Sequence, residues 1–114
     1  MRELLNQRMK TGINPKLAAL GFKISESIEN GPFGSAYWVL SKGPLKVRTV
    51  WDARDEQVRF EVSEGKKDQY GDVFSEIQIE KIDLASKEEK LILQQLNEYE
   101  EQLWSFLRKK GYPA

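Results

Sequence analysis

The sequence predicts an α+β fold, in which N-terminal helices precede a four- or five-stranded antiparallel meander and a long C-terminal helix packs on one face of the sheet. Three observations support this prediction. The central part of the chain contains strand-like segments joined by links too short for parallel crossovers. The C-terminal part carries one apolar stripe at helical spacing. The chain has 114 residues, about the length of one domain, so residues 1–114 are expected to form a single domain.

Two short helices are predicted before the sheet. The first covers the range from Arg2 to Lys10, and Gly12 is expected to end it. The second is expected to start with Asn14 as its N-cap, because Pro15 would then occupy the first helical position, where its missing N–H costs nothing. Gly21 is expected to end this second helix.

Five strands are predicted from alternating or apolar segments that lie between turn residues. They cover residues 22–29, 36–41, 45–52, 58–63 and 73–80. The first strand alternates weakly through Phe22, Ile24 and Ile28, which predicts that these three side chains share one face.

The second strand differs from its neighbours, because Tyr37, Trp38 and Leu40 direct large apolar groups to both of its faces. Val50 adds an apolar side chain to the otherwise polar side of the third strand. Two explanations remain open. The second strand is either covered on both faces, or the meander carries an apolar patch on its outer side.

The C-terminal helix is predicted over the range from Lys87 to Lys110. Ser86 and Glu89 have the spacing of a capping box, and Gly111 is expected to end the helix. Apolar residues recur along it at spacings of three and four, at Ile92, Leu96, Tyr99, Leu103 and Phe106. This stripe is expected to lie on the apolar face of the meander.

Trp104 and Leu93 are expected on a flank of this helix, off the stripe, and Glu100 is expected on a solvated flank. The helix should span ~36 Å, whereas an eight-residue strand spans only ~26 Å. Its last turns are therefore expected to overhang the sheet, where the N-terminal helices or another molecule could cover them.

Composition excludes several classes of chemistry. The chain has no cysteine and no histidine, so it cannot form disulfides, imidazole or thiolate metal sites, or Ser-His and Cys-His pairs. No cofactor, metal site or catalytic residue is expected. Eighteen basic residues balance eighteen acidic ones, which argues against nucleic acid as a partner. No apolar run approaches the ~20 residues of a membrane span, and a cytoplasmic location is expected.

Four polar clusters are explained by ordinary surface structure. The acidic clusters at 52–56 and 68–72 are interpreted as turn and loop chemistry. The glycine-rich segment at 31–35 leads into a strand, so it lacks the helix N-terminus of a phosphate-binding loop. The glutamates around Tyr99, at 98–101, are interpreted as a solvated helix face or an acidic docking surface.

The favoured functional hypothesis is a non-catalytic protein-binding module, with another protein or a second copy of the chain as its partner. The contact is expected on the outer face of the meander, because exposed clusters of Trp, Tyr and Arg tend to become the energetic centres of interfaces. The candidate partner-binding residues are Tyr37, Trp38, Leu40, Val50, Arg48, Arg59 and Trp104. In a competing explanation, the N-terminal helices cover this face from within. Size and composition are similar to those of small bacterial immunity-type proteins that neutralise a partner toxin, although no motif is specific to such a family.

The alternative hypothesis is a small enzyme or ligand carrier with a pocket between helix and sheet. Thr49 and Tyr99, polar groups at otherwise apolar positions, would line that pocket. A nucleic-acid-binding module is a third hypothesis. It would need a basic stripe through Lys46, Arg48 and Arg59, but glutamates such as Glu61 are expected to interleave with that stripe.

Overall fold

The computed structural model describes residues 7–29, 31, 34–54, 57–76 and 89–114. They form an antiparallel sheet with helical segments packed against one of its faces, which confirms the predicted α+β class. Several sequence predictions fall outside the described residues. These are the first part of the first helix, residues 2–6, the second half of the fifth strand, residues 77–80, and the capping residue Ser86.

Within the described residues, the main sheet is a meander of five strands that lie side by side in chain order. Its strands are β1 (Lys23–Ile28), β2 (Ala36–Lys42), β3 (Leu45–Asp52), β4 (Gln57–Ser63) and β7 (Ser75–Glu76), with β5 (Lys67–Asp68) and β6 (Gly71–Asp72) forming a separate ribbon. All neighbouring pairs are antiparallel. The first four strands therefore follow the predicted meander closely, whereas the described part of the fifth is only two residues long.

The N-terminal segment, residues 7–20, does not break at Gly12, so the predicted end of the first helix is wrong. A π-helical turn, Met9–Ile13, runs directly into the helix α1, Asn14–Ala19. Pro15 has no N–H for the carbonyl four residues earlier, and its ring would crowd that carbonyl. A π-turn at this point widens the helix locally, and the Asn14 N–H instead reaches back to the Met9 carbonyl.

Asn14 is not an N-cap, because its backbone is already helical and its side chain makes no cap bond. The side chain is buried, and its Oδ1 lies 3.4 Å from the Thr49 hydroxyl of β3. Each of these two buried polar groups therefore satisfies the other. This contact fixes α1 against the middle of the sheet.

The helices α1 and α2 (Glu89–Lys109) both end at a glycine, and their C-terminal ends lie close together. Gly21 follows α1 and Gly111 follows α2, as predicted, with φ angles of 98° and 96° that favour glycine. The next residues, Phe22 and Tyr112, donate their N–H groups back to carbonyls of the helices at 3.2 and 3.0 Å. Their rings lie 5.5 Å apart. Lys42 lies 4.9 Å from the Tyr112 ring and donates to a carbonyl at the end of α1 at 2.7 Å.

One hydrophobic core lies between the helical segments and the inner face of the sheet, which we define as the face that they cover. Its members come from the N-terminal segment, the inner face and α2: Met9, Ile13, Leu17, Phe22, Ala36, Trp38, Leu40, Leu45, Val47, Trp51, Val58, Phe60, Val62, Leu96, Tyr99, Leu103, Trp104 and Leu107. The stripe predicted on α2 therefore enters the core at Leu96, Tyr99 and Leu103.

The predicted flank of α2 is not solvated, because the N-terminal segment lies against it. Trp104 is only 3% exposed, and Lys16 of α1 places its ammonium 4.2 Å from the centre of the indole ring. Glu100 is also buried, contrary to the prediction. Its carboxylate accepts a hydrogen bond from Arg8 Nε at 2.8 Å, and Arg8 Nη2 lies 2.6 Å from the same oxygen in an ion pair. Arg8 donates further to Asn97.

Tyr99 connects α2 to the sheet through a hydrogen bond as well as through packing. Its ring stacks on Phe60 with 4.7 Å between centroids, and its hydroxyl accepts the Phe60 backbone N–H at 3.1 Å. Strand β7 pairs with β4 at Glu61 and Val62. The Tyr99 hydroxyl therefore satisfies the backbone N–H of Phe60, the residue just before the point where β4 starts to pair with β7.

Glu100→Ala is expected to lower the free energy of unfolding by about 1–3 kcal/mol, because it removes a charge-assisted hydrogen bond with its ion pair at a buried position. Glu101→Ala is a matched control. Glu101 is the next residue, is exposed, and forms a surface ion pair with Arg108, so its replacement should stay within about 0.5 kcal/mol. Urea denaturation of the two variants measures both values. Equal losses would contradict the burial of Glu100.

Tyr99→Phe is expected to cost about 1–3 kcal/mol, because it leaves a buried main-chain donor without its acceptor while the ring stack remains. Tyr70→Phe provides the control, since Tyr70 is 89% exposed and its hydroxyl should contribute within about 0.5 kcal/mol. Thermal and urea unfolding of both variants compare the two sites. A neutral Tyr99→Phe variant would show that this hydrogen bond does not stabilise the fold.

Candidate functional site

The outer face of the sheet, opposite the helical segments, carries two rows of side chains that cross the strands. In the first row Tyr37 of β2 lies opposite Val50 of β3, which lies opposite Arg59 of β4. The second row contains Val39, Arg48 and Glu61 in the same order. Because antiparallel partners project from the same face, each row forms one continuous strip of surface.

Strand β1 contains a bulge, and the side chains that follow it lie on the face opposite to the one that regular alternation predicts. Ile24 pairs with Leu40, but the next pair joins Glu26 to Val39, so Ser25 is an extra residue in the ladder. The Ser25 hydroxyl lies 3.3 Å from the Val39 carbonyl and bonds to it. The bulge is therefore held by a side-chain hydrogen bond to β2.

As a consequence of the bulge, Ile24 and Ile28 lie on opposite faces. Ile24 is the partner of the inward residue Leu40, whereas Ile28 is the partner of the outward residue Tyr37. The two isoleucines are 57% and 45% exposed. The predicted shared face for Ile24 and Ile28 is thus wrong, because alternation holds only in a strand without an extra residue.

A cleft of about 330 Å³ opens on the outer face at the end of β1, and we call it the outer cleft. Ile28, Tyr37 and Val50 contribute apolar surface to its lining. Arg54 and Arg59 add polar groups. Its volume lies at the lower end of the range of roughly 300–1,000 Å³ that is usual for ligand pockets.

Further lining of the outer cleft comes from the end of β3. Trp51 is 3% exposed, and its indole Nε1 has no hydrogen-bond partner among the described residues. Asp52 accepts from the Arg54 backbone N–H at 3.1 Å, which confirms the interpretation of this acidic position as turn chemistry. The other carboxylate oxygen of Asp52 accepts from Arg59 at 3.0 Å.

The charged side chains of the outer face neutralise each other. Arg48 donates to Glu61 at 2.8 Å, and Arg59 lies 3.9 Å from the same carboxylate. The Arg48 guanidinium also lies 4.1 Å from the centre of the Phe74 ring. Glu61 therefore interleaves with the arginines as the sequence predicts, and the outer face has no continuous basic stripe among these residues.

Two pKa values are shifted beside these rows. The Tyr37 hydroxyl donates to the Glu26 carboxylate at 2.9 Å, and this bond, with burial and the charge of Glu26, raises the pKa of Tyr37. Lys46 donates to Asp72 at 2.6 Å and holds the pKa of the Asp72 carboxyl below its ordinary value. Both shifts follow from contacts that cross between separate segments of the chain.

Four of the seven candidate partner-binding residues share the outer face, namely Tyr37, Arg48, Val50 and Arg59. The other three, Trp38, Leu40 and Trp104, lie in the hydrophobic core, so their assignment to an exposed contact surface is corrected. The alternation of β2 places Trp38 and Leu40 on the face opposite Tyr37. Trp104 is covered by the N-terminal segment, one of the two possibilities that the sequence leaves open.

Sequence reasoning missed Ile28 as a residue of the outer face. A bulge leaves no signal in the spacing of hydrophobic residues, since it depends on the pairing with the neighbouring strand. The nearest clue is the polar run around Ser25, which can bond to main-chain groups. The exposure of Ile28 becomes apparent only once the register is known.

Thr49 and Tyr99, the two predicted lining residues of a pocket between the long helix and the sheet, are buried. They bond to Asn14 and Phe60. Within the described ranges, no three carboxylates gather into a group that could hold a metal ion.

Tyr37 provides a pH-dependent test of the outer face. Because its folded-state pKa is raised above the ordinary value of about 10, the hydrogen bond to Glu26 stabilises the fold below pH 10 and is lost as pH rises through the folded pKa. The difference in unfolding free energy between wild type and Tyr37→Phe should therefore shrink in strongly alkaline solution. In an NMR titration, Glu26→Gln should lower the pKa of Tyr37. An unchanged pKa would contradict the assignment of Glu26 as the cause.

Among the helices of the described residues, none combines the length and the apolar composition needed to cross a lipid bilayer.

Comparison of the chain with protein-family models, with curated proteins and with solved structures found no match.

Proposed function

We propose that the chain is a non-catalytic protein-binding module and that its contact surface is the outer cleft with the rows beside it. The observation that carries this proposal is the exposure of Ile28 next to Tyr37 and Val50, on the face that the helical segments leave uncovered. The partner is another protein or a second copy of the chain. It would insert an apolar side chain against Ile28 while its polar groups contact the arginines around the cleft.

The residue types of the outer cleft support protein binding. Tyrosine and arginine are enriched among the residues that dominate interface energetics, and here Tyr37 and Arg59 occupy one cross-strand row. Both are already held by carboxylates, Glu26 and Asp52, so little side-chain entropy remains to be lost on binding.

The outer cleft fits a binding role better than catalysis. Its carboxylate, Asp52, is engaged by Arg59 and by a turn N–H, so it is poorly placed to exchange protons with a substrate. Thr49 and Tyr99, the residues predicted to line an enzyme or carrier pocket, are instead engaged with Asn14 and Phe60. An immunity- or inhibitor-type role in the cytoplasm is one form that this binding could take.

The proposal predicts that Ile28→Glu abolishes partner binding and that Ile24→Glu does not. The two positions form a matched pair, because both isoleucines lie on β1, both are exposed, and they face opposite sides of the sheet. A charge placed in a desolvated apolar contact should weaken the affinity at least about ten-fold. Affinity capture from the native host with quantitative mass spectrometry compares wild type and both variants as baits, and calorimetry with the purified partner then measures the affinities.

Two controls complete this experiment. Melting temperatures of the two variants should stay close to that of wild type, because exposed positions contribute within about 0.5 kcal/mol. Sedimentation of the purified chain tests self-association, which Ile28→Glu should disrupt if the partner is a second copy. Loss of the same partner from both variants, or from neither, would mean that the outer cleft is not the contact surface.

A further inference from the structure

A second depression lies on the inner face of the sheet, between α1 and the edge strand β1, and we call it the inner groove. Its volume is about 520 Å³. The two walls are joined at one end, because residues 20–22 connect α1 directly to β1. At the other end an ion pair between Lys10 and Glu29 links them. The inner groove is therefore bounded at both ends, and it is separate from the outer cleft on the opposite face.

Apolar residues form most of the lining of the inner groove: Pro15, Ala18, Phe22, Ile24, Trp38 and Leu40. Trp38 and Leu40 are buried and belong to the core, so the groove reaches down to the core surface. Ile24, on the β1 wall, is 57% exposed. An apolar occupant would remove this surface from water, which is favourable.

The two charged residues of the lining, Lys10 and Lys23, give the inner groove no unpaired charge. Lys23 pairs with Ser41, the residue after the inward Leu40, so its ammonium projects to the outer face. Lys10 is neutralised by Glu29. An ionic group that entered the groove would leave water without gaining a partner of opposite charge, which is costly. The lining therefore favours an uncharged occupant.

The side-chain amide of Asn14 is a polar group of the inner groove. Asn14 is only 6% exposed, and its Oδ1 accepts from the Thr49 hydroxyl of β3. Its Nδ2 donates to no partner among the described residues, yet it keeps contact with accessible space. Because Oδ1 is engaged on the side of β3 and Asn14 lines the groove, Nδ2 faces the groove beside β2. A donor this deeply buried requires an acceptor.

We propose that the inner groove binds an uncharged apolar small molecule with one hydrogen-bond acceptor, such as a ketone oxygen. The acceptor bonds to Nδ2 of Asn14, and the apolar chain lies against Trp38, Leu40 and Ile24. Apolar lining with a single placed polar group is the usual construction of a ligand pocket, and the volume is within the usual range. This site is distinct from the outer cleft, and the inference does not depend on partner binding there.

A small molecule fits the inner groove better than a segment of another chain. A continuous peptide would have to enter and leave along the groove, but the connection at residues 20–22 and the Lys10–Glu29 pair stand at its two ends. A peptide would also bring several main-chain donors and acceptors into a lining that offers one unpartnered donor, and buried groups left without partners are costly.

NMR titration of the full chain with methyl hexyl ketone at millimolar concentrations tests this proposal. Wild type should bind one molecule saturably, with shifts of the Asn14 side-chain amide and the Trp38 indole signals. These shifts locate the ligand without the need for any variant. Heptanoate, which has the same size but carries a charge, and acetone, which lacks the chain, should give no saturable shift.

Variants make this test specific. Asn14→Asp keeps the size and the acceptor for Thr49 but replaces Nδ2 by oxygen, so the ketone affinity should fall at least about ten-fold. Thr49→Val keeps Nδ2 and should leave the affinity within about two-fold. Ile24→Glu should weaken it several-fold, whereas Ile28→Glu, on the same strand but the opposite face, should not change it. Amide spectra of each variant verify its fold.

Four outcomes would overturn the proposal. These are the absence of saturation with the ketone, equal binding of heptanoate, saturation that leaves the Asn14 amide signals unmoved, and a concentration-dependent dimer that Ile24→Glu abolishes. The first would mean that water alone satisfies Nδ2, and the last that a second copy fills the inner groove. Because Ile24→Glu and Ile28→Glu have opposite expected effects here and in partner capture, failure of this inference is distinguishable from failure of the proposed protein-binding function.

Discussion

The width of the sheet is the constraint on which the rest of the structure depends. Four paired strands, β1 to β4, are about 19 Å wide at a spacing of ~4.8 Å, whereas one helix with its side chains covers only about 10–12 Å. The helix α2 alone cannot cover this face, so the N-terminal segment must lie beside it. The two segments then have to contact each other, and this contact buries Trp104 and Glu100, which pairs with the half-exposed Arg8. Coverage still stops short of β1, the edge strand, which is exposed along its whole length.

The same constraint explains where polar groups enter the core. Each helical segment accepts a hydrogen bond from the middle of the sheet: Asn14 accepts from the Thr49 hydroxyl, and Tyr99 accepts from the Phe60 backbone N–H. Each segment also ends in a glycine turn beside Lys42, where a cation lies near the negative ends of both helices. These contacts fix the segments along their length, since apolar packing by itself is not directional.

The sequence predicts much of this architecture, because its strongest signals are local. Alternation in β3 and the short links correctly indicate an antiparallel meander, and the glycine ends of both helices are correctly placed. The errors arise where a distant segment decides the outcome. The burial of Trp104 depends on a segment far away in the chain, and the exposure of Ile28 depends on pairing with β2. Trp38 and Tyr37 are both candidate partner-binding residues in the sequence, because the pattern of one strand does not indicate which of its faces the helices cover. The outer cleft could therefore be predicted only in part.

The bulge at Ser25 gives the edge strand a property that the other strands lack. Loss of that one residue would restore regular alternation, so every side chain beyond it would move to the opposite face. Because β1 is exposed along its whole length, such a change would leave the hydrophobic core almost untouched. Insertions and deletions of single residues in β1 are thus a low-cost evolutionary route by which apolar groups can be reassigned between the two faces. Related chains could diversify what they bind in this way while they keep the same fold.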